Sequence, residues 1–113
     1  MVTRCTLAAL ALAAAPAAAE TWRPLAGAEI AAALTGRTVI YGPDEQVFFP
    51  TGRTRHRLLG DRWGWWEVRG DAYCGLWPPR EDWECFAVEQ DMTGARLRFT
   101  DAEGQVTEGG IAE

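Results

Sequence analysis

The sequence predicts a mainly β domain: a small antiparallel meander, barrel-like in the manner of lipocalins, with seven or eight short strands, one short N-terminal helix and one disulfide. Three observations carry this. From residue 37 onward, short runs rich in β-branched and aromatic residues alternate with turn residues at regular spacing. Strands in that number close most simply into a barrel, because closure removes exposed edges. Two cysteines, Cys74 and Cys85, lie eleven apart in what read as neighbouring strands.

Residues 1–19 read as a secretory signal. Arg4 supplies the positive charge, Cys5–Ala15 the apolar run, and Ala17 and Ala19 the small residues before a cleavage site at Glu20. The run is too short for a permanent membrane span, and Cys5 precedes it instead of following it, unlike a lipoprotein signal. Residues 20–113 then form a single β domain, expected in the periplasm or outside the cell, with no membrane span in the mature chain. They suffice for one domain and not for two. The whole chain carries 11 arginines, no lysine and 16 acids, a formal charge of −5. Such a balance argues against nonspecific binding to nucleic acid or anionic lipid.

Glu20–Pro24 reads as an extended lead-in. The helix is expected at about 27–35: alanine and leucine favour it, Leu34 follows Ile30 by one turn, and Gly36 stands where a C-terminal cap would. Two turns are not stable alone, so this helix must pack on something. The strands occupy about 37–108: Arg37–Tyr41, Gln46–Phe49, Arg53–Leu59, Arg62–Arg69, Ala72–Trp77, Trp83–Gln90, Ala95–Thr100 and a weak Gln105–Glu108. Turn residues part them at Gly42–Pro43–Asp44, Pro50–Thr51–Gly52, Gly60–Asp61, Gly70–Asp71, Pro78–Pro79, Thr93–Gly94 and Glu103–Gly104.

A two-residue turn at Gly70–Asp71 sets Val68 opposite Tyr73, Glu67 opposite Cys74 and Trp66 opposite Gly75. A four-residue loop from Pro78 to Glu81 sets Trp77 opposite Asp82, Leu76 opposite Trp83 and Cys74 opposite Cys85. Directly paired antiparallel residues are close enough for a disulfide, and an even cysteine count in an exported chain reads the same way. Alternation sorts Trp66, Val68, Tyr73, Gly75, Trp77, Phe86 and Val88 to the core face. Trp63, Trp65, Glu67, Cys74, Leu76, Trp83, Cys85 and Ala87 fall on the other, unless Gly64 is a bulge that moves Trp63 across.

The stretch Gly64–Trp65–Trp66–Glu67–Val68–Arg69–Gly70–Asp71–Ala72–Tyr73–Cys74–Gly75–Leu76–Trp77, followed by Cys85–Phe86–Ala87–Val88, resembles a family of small exported proteobacterial proteins of unknown function. The family pattern is roughly G-x-W-x-V-x-G-D-x-Y/L-C-x-x-W, then C-x-x-V. Leu34–Thr38 and Phe48–Gly52 resemble its helix exit and its Y-F-x-x-D/N-G turn, with Thr51 departing where Asp or Asn is usual. The resemblance spans about residues 27–105. It implies a small disulfide-linked β domain and brings no activity with it.

No catalytic constellation or cofactor fingerprint is legible, so a non-enzymatic, cofactor-free protein is expected. A tuned imidazole could come only from His56, the one histidine, and one histidine with two cysteines makes no closed metal site. Glu81, Asp82 and Glu84 read as solvated acids on a hairpin. Two features stand out. Six tryptophans crowd the chain, and Trp63, Trp65 and Trp83 fall on the non-core face, either covered by the helix or free to stack on a partner. Arg53, Arg55 and Arg57 alternate with Thr54, His56 and Leu58, making a basic stripe. Together these form the candidate binding surface. The leading expectation is a binding or inhibitory module for a protein or glycan of the cell envelope. The alternative is a small carrier of an apolar ligand, for which bulky inward rings leave little room.

Overall fold

The computed structural model describes residues 21–58 and 60–113; the expected signal segment, Cys5 and Glu20 lie outside them. Strands β2 (Thr38–Tyr41), β3 (Asp44–Phe48), β4 (Arg53–His56), β5 (Arg62–Arg69), β6 (Ala72–Leu76), β7 (Glu84–Asp91), β8 (Arg96–Thr100) and β9 (Val106–Ile111) pair antiparallel in sequence order. The pairing of β9 with β2, Val39 opposite Ile111, closes an eight-stranded barrel. A short β1 (Trp22–Pro24) lies antiparallel along the far end of β7, Trp22 opposite Asp91.

Helix α1 (Gly27–Leu34) stoppers one end of the barrel. At its start the Gly27 N–H donates to the Asp71 carboxylate in the β5–β6 turn; just past its end the Gly36 N–H donates to the Phe48 carbonyl at the end of β3. The helix thus straddles that opening and sends Ile30 and Leu34, both fully buried, into a core of Val39, Phe48, Trp66, Val88 and Leu97. Gly27 has to be bare there, because a Cβ would stand 2.3 Å from the Gly70 carbonyl oxygen. Gly36 takes φ +74°, the left-handed cap expected of it.

The β5–β6–β7 register is the expected one: Trp66 faces Gly75, Glu67 faces Cys74, Val68 faces Tyr73 and Cys74 faces Cys85. Cys74 and Cys85 form a disulfide, Cα to Cα 4.0 Å. Three expectations are corrected and one alternative is excluded. The β6–β7 ladder ends at Gly75 and Glu84, so Leu76–Trp83 and Trp77–Asp82 are not ladder pairs and the Pro78 loop is longer than four residues. Strand β4 stops at His56 because Leu58 turns, its N–H captured by Asp44. Strand β9 extends to Ile111 beyond its expected end, since it must reach β2 to close the barrel. Finally Gly64 is no bulge: Trp63, Gly64 and Trp65 pair regularly with Arg55, Thr54 and Arg53.

Candidate functional site

Inward positions alternate along every strand, and their chemistry changes from one barrel end to the other. At the helix end they are aliphatic and aromatic. At the opposite end they become Asp44 and Gln46 on β3, Thr54 and His56 on β4, Arg62 on β5, Glu84 on β7 and Thr107 on β9. That end is open. It holds a cavity of about 330 Å³, lined by these residues except Thr54 and by Tyr41, Tyr73, Trp77, Arg80, Phe86 and Phe99.

The floor is aromatic. Tyr73 stacks on Phe86 at 5.6 Å and meets Phe99 edge-on at 5.6 Å. Bare glycines make the room. A Cβ at Gly64 would lie 2.6 Å from the Trp77 ring and 2.5 Å from the Leu76 carbonyl oxygen; at Gly75 it would meet Tyr73 Oη at 2.8 Å and Trp77 Nε1 at 3.2 Å. The rings therefore fold inward over backbone that carries no side chain.

One buried amide ties four strands together beneath the floor. Gln46 Nε2 donates to Thr54 Oγ1 and Tyr73 Oη, each at 3.0 Å, while Gln46 Oε1 accepts from Tyr41 Oη at 3.0 Å. The Thr54 hydroxyl in turn donates to the Val47 carbonyl at 2.8 Å. Burial pushes the Tyr73 phenol up to about 12, against the Gln46 hydrogen bond and with help from the Glu84 charge. Burial, with the nearby Tyr73 and Asp44, raises Tyr41 as well. Both phenols keep their protons at neutral pH.

At the rim, His56 Nδ1 lies 2.5 Å from Asp44 Oδ2. Burial alone would raise the Asp44 carboxyl. The Leu58 N–H, the His56 ring and the Glu45 N–H outweigh it and hold the group below its usual range. With Nδ1 committed to Asp44, His56 Nε2 is the ring nitrogen left without a protein partner among the described residues. The His56 ring leans on Trp77, centroids 4.6 Å apart, and the Arg62 guanidinium lies over that indole at 5.2 Å.

The sequence-derived surface is also brought together, on the outside of the barrel. The Arg53 guanidinium sits over both Trp63 (4.9 Å) and Trp65 (4.6 Å), and Arg55 lies over Trp63 (5.3 Å). Phe49 stacks on the Trp63 ring. The helix does not cover these rings; Trp63 and Trp65 stay 41% and 44% exposed, their faces occupied by guanidinium groups. Trp83 is not part of this stack and pairs with Arg69 at 4.6 Å. The arginine stripe is partly neutralised. Arg55 approaches Asp61 at 3.9 Å and Arg57 approaches Glu45 at 3.6 Å, whereas Arg53 has no carboxylate partner among the described residues.

The mouth was missed as a site in the sequence, although its signal is present. Period-two alternation already puts Thr54 and His56 opposite the arginines, and Trp77 and Phe86 on the core face. Polar inward residues clustered at the same end of several strands are what mark an opening. Comparison with protein-family models, curated proteins and solved structures found no match.

Proposed function

We propose that this protein binds a small molecule in the open mouth of its barrel. The observation that carries the reading is the 330 Å³ cavity, with an aromatic floor and a rim of His56, Arg62, Arg80 and Glu84. Small-ligand sites combine a largely apolar pocket with a few convergent polar groups, and this one lies at the low end of their usual size, about 300–1,000 Å³. The helix stopper supports it, because an end plugged by Ile30 and Leu34 leaves one route in. This is the carrier alternative, with a polar rim added. The inward rings that argued against it instead build the floor.

The test is ligand-observed NMR with two neutral fragments, indole and 2-naphthol, on wild type and on Thr107→Trp, which narrows the mouth. Saturation transfer from wild type, lost in a Thr107→Trp variant of unchanged melting temperature, supports the reading. Equal transfer from both, or none from wild type, overturns it.

A second reading keeps the outer face as the contact surface for an envelope protein or glycan, favoured by the exposure of Trp63 and Trp65 beside Arg53, which has no carboxylate partner among the described residues. It ranks lower because the arginines already occupy the indole faces a partner would need. Exposed cation–π contacts of this kind are worth about 0.5–1 kcal/mol each, so the ladder accounts for itself as sheet stabilisation.

A further inference from the structure

The polar groups of the mouth are unequally committed, and the imbalance specifies what they await. Four donors in the cavity wall have no protein acceptor among the described residues. The Tyr73 hydroxyl accepts from Gln46 and its own proton is unspent, though the residue is only 4% exposed. The Trp77 indole N–H lies over the bare Cα of Gly75 beside that hydroxyl. The Arg62 and Arg80 guanidiniums form no ion pair. Arg62 lays one face over the Trp77 ring at 5.2 Å, which leaves its N–H edge free. Against these stand one uncommitted carboxylate, Glu84, and the free Nε2 of His56. Asp44 is already shared between His56 and the Leu58 N–H.

Of the four, the Tyr73 hydroxyl is buried, and a ligand acceptor would offset the cost of leaving its proton unpaired. Trp77 is half-buried and the Arg62 and Arg80 side chains are exposed, so these three offer a ligand directed donors and positive charge. Guanidinium groups are the side chains best matched to a planar carboxylate. The cavity has the volume of about eleven water molecules at about 30 Å³ each. A ligand of about ten to fifteen non-hydrogen atoms fits it, the size of one fused ring pair with a short substituent. From the donor surplus and the aromatic floor we infer that the mouth binds a small aromatic carboxylate. Its ring lies on Tyr73, Phe86 and Phe99, and its carboxylate meets Arg62 and Arg80 at the rim. This rests on the pocket reading above and adds the chemical class of the ligand.

Calorimetric titration of the folded protein with three probes of one shape tests it: indole-3-carboxylate, indole-3-carboxamide and indol-3-ylmethanamine. The carboxylate should bind at least tenfold more tightly than the amide, and the amine most weakly. Arg62→Gln and Arg80→Gln should erase the preference for carboxylate over amide while leaving amide affinity within about twofold. Both sites are at the rim, so unchanged melting temperatures are the folding control. Equal binding of carboxylate and amide, or tightest binding of the amine to the Glu84 side, overturns the carboxylate assignment and leaves the pocket reading standing. If none of the three binds and neutral indole also fails, the pocket reading falls and this inference falls with it.

Discussion

Asp44 does three things at once: it ends β4 by capturing the Leu58 N–H, it orients His56, and it faces the mouth. Its folded pKa is depressed, so its contribution to stability is complete above the unfolded value, about 3.9, and drains away as pH falls through the lower folded value. Wild type should therefore melt above Asp44→Asn at pH 5–7, and the gap should shrink below about pH 4. A gap of constant size down to pH 2 would remove Asp44 as an ionised partner of His56. At this scale the sequence was half legible. Alternation sent His56 inward, but its carboxylate partner lies twelve residues away, on a strand whose register depends on a turn at Pro50–Gly52 and on the Leu58 turn. A lone histidine between two arginines carries no trace of that pairing.

Elements were more legible where turns are short. The Gly70–Asp71 turn fixes the β5–β6 ladder; the pairing of Cys74 with Cys85 was legible instead from a tight Pro78–Glu81 loop, and that register holds although the ladder stops at Gly75 and Glu84. Replacing both cysteines by Ala should cost about 3 kcal/mol, the entropy of closing a loop of this length, read as a lowered melting temperature in a variant that still folds. An unchanged melting temperature would mean that the rest of the ladder fixes the hairpin alone. The eighth barrel strand was nearly invisible because Gly109 and Gly110 have no β propensity. Gly109 is there for contact: a Cβ would meet Val39 Cγ1 at 2.6 Å and the Ile40 carbonyl oxygen at 2.9 Å. Close approach of β9 to β2 is what closes the barrel, and a local reading of propensity does not see it. Helix α1 was legible in place and length, and the need for it to pack was clear. That it packs as a stopper, which makes the opposite end the open one, emerges only from the closed barrel.

For the whole molecule, the division between inside and outside decides what the tryptophans do. Trp66 is 8% exposed, packs edge-on against Phe48 at 5.4 Å and donates its indole N–H to the Phe49 carbonyl at 2.9 Å. Trp66→Ala should cost about 3–5 kcal/mol. Trp65→Ala and Trp83→Ala remove outer rings and should cost about 1 kcal/mol, the scale of an exposed cation–π contact. Unfolding curves in urea give the comparison, and equal losses at all three positions would contradict the assignment of faces. The same division supplies the most direct test of the mouth as the binding site. The six indole N–H groups give six resonances in a ¹H–¹⁵N spectrum, and they sample both surfaces: Trp77 lines the cavity, while Trp63 and Trp65 stand on the outer wall. Titration with indole-3-carboxylate should shift the Trp77 resonance progressively to saturation and leave Trp63 and Trp65 in place. A stationary Trp77 with shifts at Trp63 and Trp65 would contradict the pocket and place binding on the arginine–tryptophan face.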